Sequence, residues 1–518
     1  MNSQAGRLRY AVKIIMNEVP VKKSGRGWRI VRWLLVILAV LATLVAVFYT
    51  EENWRGRRDW KNCQREYAAR GVELNWDKFI PAPVPDEQNF FKAPKMEEWF
   101  VRYGTNRSSN IWPERLKAKK MDQTNGLDRL IGYAGNDPKN PITNAVVAKE
   151  FLAQTDEFEP DFDLLRAALK RPYARMEGDY TRPAEIPIPN FVNVRAWEQI
   201  LAQRAHCHLL MDQPEVALRE VMLMRDLCRM LEGAPSGKPM TLVAAMINVA
   251  ASGLYVQAVA EGLQRHAWQN EQLVVLQNQL AETDLTTSFQ KAFESEPAGL
   301  IRTVEITPFA SLWRLDSVRS DSVSQKGWWR RFWDGVKALP DRSINLVPHG
   351  WVYQSMVNHV RLSEMVYESM FDTNQLVTPG RMGQASRQVD IELGRGKWFY
   401  LVSAIGLPNF TKALQAYGDR QTKVNQAQIA CALERYYLVN HDYPETLAGL
   451  VPQYIAALPR DLIGGQPLHY RRTAPGQFLL YAVGWDEIDD GGVVVKDKNG
   501  NLDKAQGDWV WQYPLIVN

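Results

Sequence analysis

Residues Trp33–Tyr49 read WLLVILAVLATLVAVFY, and this stretch decides the architecture that the rest of the sequence has to fit. Its only polar side chain is Thr43. As a helix the stretch would be roughly 25 Å long, close to the hydrocarbon thickness of a bilayer. Trp33 and Tyr49 place aromatic rings at its two ends, as is typical of membrane interfaces. We therefore predict a single transmembrane helix over residues 33–49, in contact with the lipid bilayer.

The charges around this stretch predict its orientation. Residues 1–32 hold eight Lys/Arg and one acid, Glu18, whereas the other 486 residues hold 54 basic and 57 acidic side chains. Because the more basic flank of a span stays inside, we expect a cytoplasmic tail over residues 1–32 and a periplasmic location for the bulk of the chain, at the inner membrane. The alternative is a cleaved signal peptide. The long charged leader and the lack of a small-x-small cleavage site after the apolar run favour an uncleaved anchor.

Composition limits the function classes. The 518 residues are 46% hydrophobic and 23% charged, which is typical of a folded globular chain and excludes general disorder. Because the basic excess is confined to the tail, the rest of the chain offers no basic field, and we expect no nucleic-acid partner. The Gly-x-Ser-x-Gly, His-Glu-x-x-His and dinucleotide-binding glycine patterns do not occur, so no catalytic residue is assigned.

The chain after the span divides into three predicted parts. Residues 50–143 should hold a membrane-proximal helix and a Pro-rich, loop-rich segment. Residues 144–420 should form a helical domain of stacked hairpins, since apolar residues recur there at helical spacing, and one of its helices is predicted over Thr286–Glu294. Val194–Met211 and Pro214–Leu231 are one such hairpin, whose turn resembles that of a tetratricopeptide unit, although no second copy follows at the required spacing.

Two short segments leave alternatives open or point away from a site. Lys326–Leu339 (KGWWRRFWDGVKAL) is either an interfacial helix that touches the bilayer or an ordinary helix with a packed Trp cluster. Cys207 and Cys228 lie on consecutive predicted helices, but about 13 Å apart along the hairpin, which exceeds disulfide reach. We therefore expect buried thiols. Residues 206–208 (His-Cys-His) point around a helix and are not expected to bind a metal.

The last hundred residues change character, and we predict a small α/β domain over residues 421–518. An amphipathic helix over residues 421–440 is followed by segments of period two. Leu468–Arg472 and Gln477–Val483 predict a hairpin, and Val493–Val495 and Asp508–Gln512 predict closing strands. The predicted fold class is therefore α+β, mostly α, with one transmembrane helix, an all-helical part of stacked hairpins and a small C-terminal helix-plus-antiparallel-sheet domain.

An ordered series of residues in this last fifth of the chain resembles the globular domain of the major pseudopilin of type II secretion. The series is Leu433-Glu434-x-x-Tyr437, Asn440-x-x-Tyr443-Pro444, Leu450, Leu458-Pro459-x-Asp461, Gly465-x-Pro467-x-x-Tyr470, Leu480-Tyr481-x-x-Gly484-x-Asp486 and Asp508-Trp509. The resemblance implies a pseudopilin-like module. The chain departs from that family because its anchor lies far upstream of the module and lacks the glutamate after its start. The whole chain also resembles bacterial single-pass membrane proteins with a similar C-terminal segment. This second resemblance implies no function.

The resemblance also implies a calcium site. Gly484–Gly492 (GWDEIDDGG) is an acidic, Gly-rich loop. In the pseudopilin family the corresponding loop binds calcium, and the oxygen ligands available here are Asp486, Asp489, Asp490 and Asp508. Calcium takes about six to eight oxygen ligands, including backbone carbonyls, and glycines in the loop let carbonyls turn inward. The alternative is a solvated loop tip, because neighbouring carboxylates otherwise repel one another. Calcium is the only cofactor predicted.

These features favour a non-enzymatic envelope protein over an enzyme. The leading expectation is an interaction or scaffold component associated with secretion-like machinery, with an envelope protein as its partner. The alternative is a membrane-anchored hydrolase of envelope polymers with a site between the helical and C-terminal domains. Converging carboxylates in a cleft would favour the enzyme, and an open groove would favour binding.

Overall fold

The chain is mostly helical, with a few short antiparallel strands. The structure is a computed structural model and describes residues 26–102, 115, 144–232, 241–307, 348–394, 398–407, 410–474, 476–498, 500 and 502–512. The helices are α1 Arg26–Ala69, α2 Met96–Phe100, α3 Asn144–Thr155, α4 Glu159–Ala168, α5 Phe191–Leu210, α6 Pro214–Leu231, α7 Leu242–Gln264, α8 Asn270–Ala281, α9 Leu285–Ile306, α10 His349–Met370, α11 Pro379–Gly394, α12 Leu401–Gly406 and α13 Phe410–Asn440.

The strands are short and pair in three small sheets. They are β1 Val101–Arg102, β2 Ile188–Pro189, β3 His469–Ala474, β4 Gln477–Ala482, β5 Val494–Lys496, β6 Leu502–Gly507 and β7 Trp509–Gln512. β3, β4 and β7 form one antiparallel sheet in that order, β5 pairs with β6, and β1 pairs with β2. In the largest sheet His469 pairs with Tyr481 and Leu480 pairs with Trp511. The predicted hairpin and the α+β class are confirmed.

The predicted span and the predicted membrane-proximal helix form one continuous helix, α1. At 44 residues it is about 66 Å long. Its apolar side chains from Trp28 to Phe48 are exposed, whereas Trp60, Cys63 and Tyr67 near its other end are buried. Two described helices are long and apolar enough to cross a membrane: Trp28–Ala69, and Leu242–Gln264, most of which is buried inside the fold.

The second half of α1 packs against α10. Trp60 and Tyr67 share a hydrophobic cluster with Met356, Val357 and Val360 of α10. Polar contacts flank the cluster: Asp59 accepts a hydrogen bond from Gln354, and Arg70 pairs with Glu364 and Glu368. The helix that carries the exposed apolar stretch is therefore part of the folded body and not a separate tail.

The predicted hairpin of the helical part is confirmed, and one helix is longer than expected. The second helix of the hairpin has the predicted bounds, Pro214–Leu231. The sequence predicted a helix from Thr286 to Glu294, whereas α9 continues through Pro297 to Ile306. Its last turns persist because Ile301 and Val304 are buried against α1 and α10. All four cysteines are unbridged and buried.

The C-terminal helix is also longer than predicted. The sequence placed its start at residue 421, but α13 begins at Phe410, so the expected domain boundary falls within the helix. Residues of α13 such as Val424 and Leu433 share one hydrophobic core with Leu273 and Leu276 of α8 and with Phe478 of β4. Burial on both sides holds the helix together across the boundary.

Candidate functional site

Asp508, which comes directly before β7, organises the acidic loop. Its side chain is only 4% exposed in the folded chain. Its Oδ2 atom accepts hydrogen bonds from the backbone N–H groups of Asp490, at 3.1 Å, and Gly492, at 2.7 Å. Gly491 and Gly492 have φ values of +75° and +88°, in the left-handed region that favours glycine, and this lets the loop wrap around the carboxylate. Burial raises the pKa of Asp508 above its ordinary value despite these bonds.

The other predicted ligands lie on the same loop but are only partly brought together. Asp486 accepts hydrogen bonds from the backbone N–H groups of Ile488, at 3.3 Å, and Gly507, at 2.9 Å. The Oδ1 atom of Asp489 accepts from the Gly491 N–H and from the Tyr481 hydroxyl, both at 3.0 Å. The bond from the Gly491 N–H holds the pKa of Asp489 below its usual value. Asp490 is exposed.

This arrangement does not present a ready-made calcium cage. Four of the eight carboxylate oxygens of these aspartates already accept hydrogen bonds, namely both of Asp486, Oδ1 of Asp489 and Oδ2 of Asp508. Asp508 Oδ1 is buried and has no hydrogen-bond partner among the described residues. In the part of the chain that the structure describes, no group of three or more His, Cys, Asp or Glu side chains is arranged to hold a metal. Asp508 Oδ1 and the exposed Asp490 carboxylate are suitable oxygens, but calcium would have to displace N–H donors to complete its shell. Calcium binding stays a prediction.

Asp508 also lines a cleft between the helical part and the C-terminal strands. The cleft has a volume of about 300 Å³. One wall is α7, the floor is α13, and the other wall is β5–β7. Its lining side chains are Gly253, Val256, Gln257, Ala260, Asp419, Arg420, Lys423, Val494, Leu502, Asp503, Lys504, Asp508, Trp509, Val510 and Trp511. The alternative hypothesis from the sequence places a site at this junction.

The charged side chains of the cleft are largely paired with one another. Asp419 lies 2.7 Å from Lys504 Nζ and 3.8 Å from Arg420 Nε. Burial would raise the pKa of Asp419, but the positive charges of Lys423, Lys504 and Arg420 outweigh it and hold this pKa below the ordinary value. Lys423 donates to the Val510 carbonyl at 2.9 Å, and burial lowers the pKa of its ammonium group. The cleft therefore offers little uncompensated charge.

Two buried polar atoms of the cleft residues have neither a hydrogen bond nor an ion pair with any described residue. Asp508 Oδ1 is an unused acceptor, and the Nε1–H of Trp511, a side chain 5% exposed, is an unused donor. Buried polar groups are normally hydrogen-bonded, so each such atom indicates either a functional role or a partner outside the described structure. None of the described side chains lining the cleft is Ser, Thr, Cys or His, so the cleft supplies carboxylates and amines but no hydroxyl or thiol nucleophile.

The other sequence candidates lie away from the cleft. His206 contacts Glu261, with Nδ1 and Oε2 2.9 Å apart, His208 Nδ1 lies 2.9 Å from Gln213, and Cys207 is buried. The three residues therefore point to different neighbours, as expected for adjacent positions of a helix. Lys326–Leu339 lies outside the described residues.

Comparison with known proteins adds no function. No family model, curated protein or solved structure matches the chain. The pseudopilin resemblance stays a prediction, and the function has to be argued from geometry.

Sequence reasoning missed most of the cleft. Asp419 and Lys504 lie 85 positions apart, and neither is part of a motif, so nothing local connects them. Trp511 was recognised only as part of a closing strand. The one available signal was Asp508, which the calcium hypothesis had already selected.

Proposed function

We propose that this protein is a single-pass protein of the bacterial inner membrane that acts as a non-enzymatic scaffold for envelope proteins. Residues 1–32 would lie in the cytoplasm, residues 33–49 in the bilayer, and the folded part in the periplasm, in association with secretion-like machinery. The observation that carries the proposal is the continuity of α1, which runs from an exposed apolar stretch into the folded core.

Several physical features support a rigid tether. The apolar stretch at residues 33–49, extended by Ile30 and Val31 with Arg32 as the only charged side chain, would span roughly 30 Å, the hydrocarbon thickness of a bilayer. Just beyond it, Glu52 accepts a hydrogen bond from Trp351 Nε1 at 2.9 Å, and Phe48 packs edge-on against the Trp351 ring. These contacts fix the folded body against the helix within one turn of the apolar stretch. A scaffold benefits from such a rigid connection because its binding surfaces are held at a fixed distance from the membrane and in a fixed orientation.

The pseudopilin-like module and its calcium are part of the proposal. Asp486, Asp489, Asp490 and Asp508 would hold the ion, which would neutralise a loop that otherwise collects negative charge. The hydrogen-bonded ring around Asp508 supports a loop that is already ordered, so the ion would stabilise it by mass action.

The second candidate function is a membrane-anchored hydrolase of envelope polymers, and one observation favours it. Asp508 and Asp419 line one cleft and have pKa values shifted in opposite directions, as an acid–base pair requires. Against it, Asp419 is buried and held in an ion pair with Lys504, so a substrate would reach it only by breaking that pair. We therefore place the scaffold first.

Reporter fusions test the topology. A reporter active only in the periplasm should be active when fused after Val517 and inactive when fused before Gly25. The opposite pattern would overturn the orientation. The scaffold function is tested by native electrophoresis of solubilised membranes, in which the protein should migrate in an assembly larger than a monomer. The hydrolase function is tested by incubating the full chain with purified envelope polymer. If soluble fragments are released, and Asp508→Asn abolishes the release, the hydrolase proposal replaces the scaffold proposal.

A further inference from the structure

The face of α1 that points away from α10 carries a row of basic side chains. Arg57, Arg58, Lys61 and Arg65 are all exposed. Arg57, Lys61 and Arg65 recur every four residues along one row of the helix, and Arg58 lies beside that row, about 100° around the axis from Arg57. Together they cover the side of α1 that faces away from the buried Trp60, Cys63 and Tyr67. We call these four residues the basic stripe.

The basic stripe has no ion-pair partner in the described part of the chain. Among the described residues no acidic side chain forms an ion pair with any of the four, whereas Arg55, which lies outside the stripe, pairs with Glu52 at 2.7 Å. Arg58 stacks over the exposed Trp54 ring, 5.4 Å from its centroid. Four like charges on one face repel one another, so the stripe is a surface that gains from an acidic neighbour.

The same face continues into the apolar stretch as a shallow groove. Its lining residues are Ala42, Thr43, Ala46, Val47, Thr50, Glu51 and Trp54. The hydroxyl groups of Thr43 and Thr50 donate to carbonyls of α1 itself, at 2.8 and 2.7 Å. From Ala42 to Thr50 the groove therefore presents small and apolar surface, and the exposed Glu51 and Trp54 mark its end towards the basic stripe. Small side chains let another helix approach closely within a bilayer, where packing drives helix association.

We propose that this face of α1 docks another single-pass membrane protein, whose helix is acidic in the turns just outside the bilayer. The inference rests on the membrane span proposed above and specifies the scaffold's partner. An apolar helix would fill the groove beside Ala46, and its acidic continuation would pair with the basic stripe. The groove and the basic stripe follow one another on the same face of α1. A partner that contacts both must therefore be a helix that continues from the bilayer into the aqueous phase.

Two other occupants fit less well. A second copy docking through the same face about a two-fold axis would place the basic stripe opposite itself, which costs energy. Anionic lipid headgroups occupy only about 5–8 Å beyond the hydrocarbon. The stripe lies roughly 12–24 Å past Tyr49 along α1, mostly above that layer.

The test uses the full chain in phosphatidylcholine bilayers, with energy transfer from a donor dye at its N-terminus to a labelled synthetic helix. The probe has about 20 Leu/Ala residues followed by four Glu at helical spacing, and the comparison probe carries four Lys instead. The native chain should bind the Glu probe roughly five- to tenfold more tightly than the Lys probe, the effect expected of four exposed ion pairs.

Charge reversal should invert this preference. R57E/R58E/K61E/R65E is expected to favour the Lys probe. The matched control R195E/R219E/R265E/K291E makes the same change of net charge at four exposed positions away from α1 and should keep the native preference. Equal binding of the two probes, no binding, or an equal loss in the control would overturn the proposal. Energy transfer between two labelled copies without probe would assign the face to a dimer and also overturn it.

The membrane span is scored separately in the same samples by flotation with the vesicles. A chain that does not float refutes the span, whereas a chain that floats but ignores the charge of the probe refutes only the docking face.

Discussion

The Gly350 backbone on α10 lies directly against the backbone of Glu52 on α1. A Cβ atom placed on Gly350 would sit 1.9 Å from the Glu52 carbonyl oxygen, and one placed on Gly56 would sit 2.2 Å from the Gly350 oxygen. The Gly350 N–H also donates to the Asn53 side chain at 2.8 Å. The two helices therefore touch through their main chains one turn beyond the apolar stretch, and this contact sets how the folded body meets the apolar part of α1.

Gly350→Ala should be strongly destabilising. The added methyl group meets a backbone atom that no side-chain rotation can move, so α1 and α10 must separate, at a cost of about 2 kcal/mol or more. Gly383→Ala is the control, because a Cβ there finds only the Arg387 side chain, at 3.7 Å, and alanine favours a helix interior. Chemical denaturation of the full chain in lipid nanodiscs measures both. Equal stability of the two variants would contradict the backbone contact.

Trp511→Phe should cost less stability than Trp268→Phe. Both rings are buried and both variants lose the same volume, but Trp268 Nε1 donates to the Val259 carbonyl at 3.1 Å, whereas Trp511 Nε1 has no partner in the described structure. The difference isolates one hydrogen bond and should be about 1 kcal/mol. Paired denaturation curves give it. If Trp511→Phe proves the more damaging variant, its indole N–H has a partner after all.

Calcium should raise the melting temperature of the full chain, and Asp489→Asn combined with Asp490→Asn should abolish the rise. A ligand at a hundredfold excess over its dissociation constant stabilises the folded state by about 2.7 kcal/mol. Asp212→Asn, in an exposed turn of the helical part, should respond to calcium as the native chain does. Identical melting of the native chain in calcium and in chelator would reduce the acidic loop to a solvated, hydrogen-bonded turn.

The buried His359 should make the protein sensitive to acid. Burial lowers the pKa of His359 to about 4, below its ordinary value of 6.5. His359 therefore binds a proton near pH 6.5 in the unfolded chain but only near pH 4 in the folded chain. The free energy of unfolding consequently falls by roughly 2–3 kcal/mol as the pH drops through this window. His359→Leu should remove that part of the pH dependence. Denaturation at about pH 7 and about pH 4.5 tests it.

His266 has the opposite and weaker effect on the pH dependence of stability. The hydrogen bond from His266 to Glu434, with Nδ1 and Oε1 2.7 Å apart, raises the pKa of His266. Its contribution is present below about pH 6.5 and is lost as the pH rises through the folded-state value. The ring is 39% exposed, so solvent screens the pair and the effect should stay under about 1 kcal/mol. The His359→Leu comparison is unaffected, because both chains retain His266.

Local patterns were enough wherever one element could be recognised from its own residues. Pro214–Leu231 has the predicted bounds because its apolar period and its N-terminal proline are local properties. The β3–β4 hairpin followed from alternation and a turn. Prediction failed where burial by distant residues prolonged a helix, as in α9 beyond Pro297 and in α13 before residue 421.

The candidate sites divide in the same way. Asp486, Asp489 and Asp490 cluster in sequence, and the pseudopilin resemblance added Asp508, but the hydrogen bonds from Asp490, Gly491 and Gly492 depend on the loop folding around Asp508. The pairing of Asp419 with Lys504 had no sequence signal at all.

The sequence by itself determined the apolar stretch at residues 33–49, the helical part and the α/β character of the C-terminal segment. These follow from the spacing of hydrophobic residues, which is a property of the sequence alone. Only the tertiary structure decided that α1 continues into the core and that its basic stripe forms no ion pair with the described residues. Which face of a helix is buried depends on which distant helix supplies the apolar partner. For α1 that partner is α10, some three hundred residues away, and its contact through Gly350 leaves the opposite face open.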